Sequence, residues 1–107
     1  MKSLADAVRL KIYTSENHKL DNKPLYEAVV KKALELKIAG ATVVRGVYGY
    51  GAHHTIHTAK LLELSDNLPL IIEIVDVQEK VDKIVPFLET LAGKAVVTFE
   101  KISMVGE

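Results

Sequence analysis

Apolar and polar residues alternate regularly in several parts of the chain, and the period of each pattern predicts a secondary-structure element. Residues 8–14 alternate as a half-buried strand would, with apolar side chains on one side and Arg, Lys and Tyr on the other. Apolar residues four positions apart then predict a helix between Pro24 and Gly40. The other predicted elements are strands over 41–50 and 68–75, a helix over 76–92 and a strand over 95–105. This βαββαβ order is typical of an α+β ferredoxin-like sandwich, an antiparallel sheet with two helices on one face.

Short sequence signals indicate where the two helices end or break. Gly40 is a credible stop for the first helix, and Gly93 for the second. Asp76 followed by Glu79 has the spacing of a capping box that would open the second helix. Pro86 should kink or shorten that helix because it lacks a backbone donor.

The strand over 68–75 is apolar on both of its faces. Ile71 and Val75 are as apolar as the residues between them, whereas a sheet covered on one face should alternate. Two helices on the same side leave the second face uncovered, so another copy of the chain is its simplest cover. A central, parallel-like strand would give the same pattern. Glu73 is the charged exception, and Arg45 on the neighbouring strand is its predicted counter-charge, across the strands or across subunits.

Composition narrows the class of protein. A chain of 107 residues predicts a single domain over 1–107, and 49% hydrophobic with 26% charged residues is typical of a globular protein. Lys plus Arg and Asp plus Glu number 14 each, so nothing favours binding to a nucleic-acid backbone. No membrane-spanning segment and no signal-peptide hydrophobic region is recognised, so the cytoplasm is the expected compartment.

The chain offers little catalytic chemistry. It has no cysteine, which excludes disulfides, thiolate metal sites and a Cys nucleophile. The serines lack the context of a nucleophile, and no pair of carboxylates is placed convincingly. We therefore predict no catalytic residue and no enzymatic activity.

The segment at the end of the second predicted strand concentrates the candidate chemistry, and its sequence is Gly-Tyr-Gly-Ala-His-His-Thr-Ile-His over residues 49–57. Gly46, Gly49 and Gly51 follow the order G-x-x-G-x-G, which is not the dinucleotide-binding fingerprint. Closely spaced glycines let a backbone approach another group. They could form a bulge or loop base packed at a subunit contact, or a cradle of backbone N–H groups for an anion.

Three histidines in the same segment raise the possibility of a metal site. On a helix, His53 and His57 would lie one turn apart, a spacing that suits two imidazole ligands of Zn²⁺ or Cu²⁺, with His54 beside them. Glu63 and Asp66 are the nearby carboxylates that could complete the shell. Otherwise the histidines are polar surface, or pH-dependent contacts to a ligand.

Five segments together carry a family resemblance, and they are Lys23–Ala28, Gly40–Gly46, Gly49–Gly51, Ile56–Lys60 and Leu68–Asp76. Through them nearly the whole chain resembles the PII-like family, and more closely the small PII-like proteins long grouped as a domain of unknown function. The resemblance implies a homotrimer with its sheets turned inward. It also implies a long flexible loop over 52–67 that could contact a partner protein. Adenine nucleotides (AMP, ADP or ATP) would then bind between subunits at the base of that loop.

The resemblance transfers to individual residues only in part. A Thr-Val strand that leads to Gly49-Tyr50-Gly51 matches the PII pattern. PII proteins continue with Arg and Gln, where this chain has Ala52-His53-His54. Of their basic, glycine-rich loop before the last strand, only Gly93-Lys94 is present. The modified PII tyrosine has no counterpart, because both tyrosines of this region precede the loop.

The predicted function is therefore that of a PII-like signalling protein that binds a small anionic effector, an adenine nucleotide by the resemblance, in clefts between subunits. The predicted ligand-binding residues are Arg45, Gly49, Gly51, His53, Gly93 and Lys94. The alternative is a divalent-metal-binding trimer that uses His53, His54 and His57.

Overall fold

The computed structural model describes residues 4–51, 56–58 and 67–105. The elements, in chain order, are β1 (Leu4–Ser15), β2 (Lys19–Leu20), β3 (Lys23–Pro24), α1 (Leu25–Glu35), β4 (Gly40–Arg45), β5 (Tyr48–Gly49), β6 (His57–Thr58), β7 (Pro69–Val77), α2 (Gln78–Asp82), α3 (Val85–Glu89) and β8 (Val96–Val105). No helix within these ranges has the length and apolar character needed to cross a membrane.

The main sheet has four strands in the order β4-β7-β1-β8, and every neighbouring pair is antiparallel. The small strands form two separate ribbons, β2 with β3 and β5 with β6. The sheet order, together with helices between β1 and β4 and between β7 and β8, is that of a ferredoxin-like fold. The predicted fold class is confirmed.

One side of the sheet packs against the three described helices and forms the core. The two central strands, β1 and β7, bury their even-numbered apolar side chains in this core. The core cluster consists of Val8, Leu10, Ile12, Leu25, Val29, Ala33, Ile72, Ile74, Val81, Ile84, Leu88 and Leu91. The helices in the described part of the chain therefore lie on one side of the sheet, as the sequence predicts.

The opposite side of the sheet, which we call the open face, is covered by none of the described helices. On β7 the odd-numbered residues lie on this face and are half-buried, while their even-numbered neighbours are buried. Ile71 and Val75 are among these odd-numbered residues, so the two-sided apolar character of the strand is confirmed in the fold. An apolar row crosses the face at one end, where cross-strand register aligns Val44, Ile71, Tyr13 and Val96.

Glu73 also lies on the open face, but its counter-charge is different from the predicted one. Arg9 approaches it from β1, with Nε 4.0 Å from a Glu73 oxygen, and donates from Nη1 to Glu100 at 2.8 Å. Arg45 is in register with Leu70, and cross-strand partners point to the same side, so Arg45 lies on the helix side. The predicted contact across the strands is wrong for this reason, and a contact across subunits stays a prediction.

The end of the first helix also differs from the prediction. α1 ends at Glu35, and Lys37 rather than Gly40 adopts the left-handed conformation that closes it, with φ at 58°. The N–H of Ile38 donates to the Ala33 carbonyl at 3.0 Å, which is the long bond of a Schellman motif. A lysine takes the glycine position here, and Gly40 is instead the first residue of β4.

The second predicted helix is divided into α2 and α3, and Pro86 stands at the start of α3, so the predicted break is confirmed. The predicted capping box does not form. α2 begins at Gln78 without a side-chain cap, and Asp76 still belongs to β7. The buried Asp76 carboxylate accepts hydrogen bonds from the N–H of Ala39 at 2.8 Å and from that of Val77 at 2.7 Å. It therefore ties the chain before β4 to the end of β7.

Replacing Asp76 with Ala should lower the free energy of unfolding by about 1–3 kcal/mol, because the Ala39 N–H then loses its acceptor. Asp76→Asn keeps one side-chain oxygen as an acceptor and should cost clearly less. Urea unfolding followed by circular dichroism measures both values. A free energy of unfolding left unchanged by Asp76→Ala would show that these hydrogen bonds do not stabilise the fold.

Candidate functional site

A cavity of about 640 Å³ lies at the end of the sheet where β1 ends and where β7 and β8 begin. Four pieces of chain line it. They are residues 13–15 with His18, residues 46 and 48–51, residues 67 and 69–71, and residues 93–96. The volume is within the usual range for pockets that hold small molecules.

Four of the six predicted ligand-binding residues line this one cavity: Gly49 and Gly51 after β4, and Gly93 and Lys94 before β8. The two pairs are more than 40 residues apart in sequence, and the sheet order brings both pairs to the same end of the fold. Arg45 is not among the lining residues, and His53 lies outside the described residues.

The glycines of the cavity differ in their packing and in their backbone conformation. The close approach predicted for this segment occurs at Gly46, where the N–H donates to the Pro69 carbonyl at 2.7 Å and an added Cβ would lie 3.0 Å from Pro69 Cγ. Gly46 therefore packs against its own chain, and the predicted packing of these glycines at a subunit contact stays a prediction. Among the described residues other than its chain neighbours, a Cβ at Gly51 would meet nothing within 4 Å. Gly93 has a left-handed φ of 83° in the turn that leads to Lys94.

Tyrosine side chains supply much of the aromatic surface of the cavity. Tyr48 and Tyr50 are 65% and 64% exposed, and Tyr13 lines the cavity from β1 at 41% exposure. Such rings can stack on a planar ligand. Tyr48 and Tyr50 were not among the predicted site residues. Their positions on either side of Gly49 were a sequence signal from which they could have been predicted.

The turn after β1 contributes a histidine that the sequence analysis did not select. His18 lines the cavity, and its Nδ1 shares a hydrogen bond of 2.7 Å with Thr14 Oγ1. The backbone carbonyl of His18 accepts the N–H of Leu25, the first residue of α1, at 2.9 Å. The four-residue spacing of Thr14 and His18 was a weak signal, because only the turn between them brings the two side chains together.

Glu16 in the same turn explains the position of Arg45. One Glu16 oxygen lies 2.7 Å from Arg45 Nη2, and the other accepts the N–H of Leu68 at 3.1 Å. The Glu16 N–H in turn donates to the Leu68 carbonyl at 3.0 Å. These contacts join the ends of β1 and β4 to the start of β7 at the edge of the cavity. Arg45 thus has a structural partner, and its ligand-binding role stays a prediction.

The described residues give no support to the metal alternative. Among them no group of three or more His, Asp or Glu side chains is placed to hold a metal ion. His53 and His54 lie outside the described residues, and so does most of the predicted 52–67 loop. The backbone of His57 pairs with Gly49 in the β5–β6 ribbon, so the helix on which the predicted ligand spacing depended is wrong at this residue.

Solved structures with a similar fold are PII-like proteins. The PII-like protein CPII of Thiomonas intermedia K12, solved with ADP, AMP and bicarbonate, superposes with a TM-score of 0.66 at 22% identity, over 99% of this chain and 94% of that one. A Thermus thermophilus protein, proposed to be a PII-like signalling protein, gives a TM-score of 0.67 at 14% identity, over 95% and 92% of the two chains. These likenesses show the PII-like form of the fold.

Sequence comparison identifies closer relatives. A UPF0166 protein of Aquifex aeolicus is 37% identical over 98 residues, which are 90% of each chain. A UPF0166 protein of Methanocaldococcus jannaschii is 38% identical over 79 residues, or 74% of this chain and 72% of the relative. Residues 7–104 match the family DUF190, described as "Uncharacterized ACR". The chain therefore belongs to the DUF190 family.

Proposed function

We propose that this protein is a PII-like regulator that binds a small anionic effector, an adenine nucleotide, in the cavity at the end of its sheet. The observation that carries the proposal is the convergence of Gly49, Gly51, Gly93 and Lys94 on one cavity together with exposed tyrosine rings. The proposal assigns no catalytic residue to the site.

The two chemical parts of a nucleotide match two parts of the lining. The rings of Tyr48 and Tyr50 offer stacking surfaces for the base, and a stacked base is worth about 1–3 kcal/mol. Lys94 is exposed in the turn before β8 and supplies a positive charge for a phosphate. A base and a phosphate would thus each meet the kind of group that binds them.

The structural neighbours support the same class of ligand. CPII was solved with ADP, AMP and bicarbonate, and separately with ADP and bicarbonate. These ligands belong to that protein, whose identity to this chain is 22% or less in both structures. For this chain they favour an adenine nucleotide over the other small anions that Lys94 could bind.

We further propose that the open face is covered by copies of the same chain in a homotrimer. The apolar row formed by Val44, Ile71, Tyr13 and Val96 is the kind of surface that self-association buries. Tyr13, Ile71 and Val96 also line the cavity, so a neighbouring copy on this face would close the site between subunits. The 52–67 loop remains the proposed surface for a partner protein, and a cytoplasmic location remains the expectation.

The assembly is tested by Ile71→Asp, which should convert the trimer to a monomer. The new carboxylate would be buried in the interface without a partner, at a cost of several kcal/mol. Light scattering coupled to size-exclusion chromatography measures the mass at micromolar concentration. A wild-type monomer under these conditions would contradict both the trimer and the site between subunits.

Leu34→Asp is the matched control, because Leu34 is 75% exposed on α1, on the helix side of the sheet. This variant makes the same chemical change away from the open face and should remain a trimer. If both variants became monomers, general destabilisation would explain the result and the proposed interface would lose its support.

The ligand is tested by Gly51→Val. Apart from its chain neighbours, no described atom lies within 4 Å of an added Cβ at Gly51, so a Val side chain has room beside the cavity without distorting the described fold. We expect wild-type protein to bind at least one of AMP, ADP and ATP in isothermal titration calorimetry, and the variant to bind it at least tenfold more weakly. The variant should stay a trimer.

Ala39→Val, which enlarges an exposed residue outside the cavity, should bind as the wild type does. Titrations with Zn²⁺ and Cu²⁺ complete the comparison. If nucleotides gave no heat, while a metal bound tightly and His53→Ala with His57→Ala abolished that binding, the metal alternative would replace the proposal.

A further inference from the structure

The charges and dimensions of the cavity restrict the nucleotide further than the proposed function does. We infer that the effector is a nucleoside monophosphate and that it binds without a divalent cation. This inference rests on the proposed function, since it narrows the ligand of the same site.

The positive charge that the described lining offers favours a ligand with a single phosphate. Among the described residues that line the cavity, Lys94 is the only Lys or Arg. His18 is the single described histidine there, and its Nδ1 is already hydrogen-bonded to Thr14. Arg45, the nearest other candidate from the sequence, is paired with Glu16. Lys94 offsets part of the charge of a single phosphate group, which is about −1.5 to −2 at neutral pH, whereas each further phosphate would add negative charge without a described counter-charge in the lining.

The width of the site is consistent with the same ligand. The chain after β4 lies against the first residue of β7, because the Gly46 N–H donates to the Pro69 carbonyl at 2.7 Å and an added Cβ at Gly49 would lie 3.5 Å from Pro69 Cγ. Tyr48 and Tyr50 flank Gly49, and Lys94 precedes β8, which is two strands from β7 in the sheet order. Two strand intervals are roughly 10 Å at the usual strand spacing. A nucleoside monophosphate is long enough to cross this distance with its base on the tyrosines and its single phosphate near Lys94.

Nucleoside triphosphates usually bind together with Mg²⁺, which needs ligands of its own. Magnesium in nucleotide sites is commonly held by phosphate oxygens together with one or two carboxylates. No described residue that lines this cavity is Asp or Glu. Glu16 is next in sequence to the lining residues 13–15, but its two side-chain oxygens are engaged with Arg45 and with the Leu68 N–H. A magnesium–ATP complex would therefore find no described carboxylate ligand in the cavity.

Calorimetric titration of the wild-type protein with adenosine, AMP, ADP and ATP, each with Mg²⁺ and with EDTA, tests the inference. We expect AMP to bind most tightly, at least tenfold more tightly than ATP, with the same affinity in Mg²⁺ and in EDTA. Adenosine should bind more weakly than AMP because it lacks the phosphate that Lys94 contacts.

Lys94→Ala should weaken AMP binding by about tenfold or more, which is typical for the loss of a charged hydrogen bond, and should leave adenosine binding unchanged. Lys83→Ala removes an exposed lysine between α2 and α3, outside the cavity, and should change neither affinity. Light scattering confirms that both variants keep the assembly of the wild type.

The outcomes separate the two proposals. ADP or ATP binding as tightly as AMP, a requirement for Mg²⁺, or unchanged AMP binding in Lys94→Ala would overturn this inference while leaving a nucleotide-binding regulator in place. The absence of binding by every nucleotide would overturn the proposed function itself, and this inference with it.

Discussion

The structure depends on β7, a central strand whose two faces are both apolar. It is paired along its length with β4 on one side and β1 on the other, and its even-numbered side chains are buried under the helices. A strand of this kind is stable only when both faces are removed from water. The described helices cover one face, and self-association is the proposed cover of the other. Its first residues, Pro69 to Ile71, then form part of the cavity.

The half-buried Glu16 carboxylate gives the edge of the cavity its shape. An exposed ion pair is worth little by itself, about 0–1 kcal/mol. Glu16 is only 17% exposed, however, and it accepts the Leu68 N–H in addition to contacting Arg45. The Asn17 N–H also donates to the side-chain oxygen of Asn67 at 3.0 Å. The strand ends that surround the site are thereby held to one another by polar contacts that a ligand does not need to supply.

Local periodicity was enough to predict the βαββαβ order and the two-sided strand, because each is a short-range pattern, whereas Gly93 and Lys94 were selected through the family resemblance. It could not predict contacts set by register or by distant residues. A shift of one residue decides which face a side chain occupies, and this is why Arg45 was assigned to the face of Glu73. Asp76 accepts from Ala39, 37 residues away, so its local spacing to a glutamate suggested a cap that does not form. His18 was missed for a similar reason.

Assembly and ligand binding use the same surface in the proposed trimer. Tyr13, Ile71 and Val96 belong to the apolar row of the open face and also to the lining of the cavity. A ligand that contacts two subunits stabilises their association, and association in turn raises the affinity for the ligand by the same factor. The charged residues Arg9 and Glu100 lie further along the face, outside the cavity. Ligand occupancy would therefore act on the subunit contact at the end of the sheet where the chain leaves for the 52–67 loop.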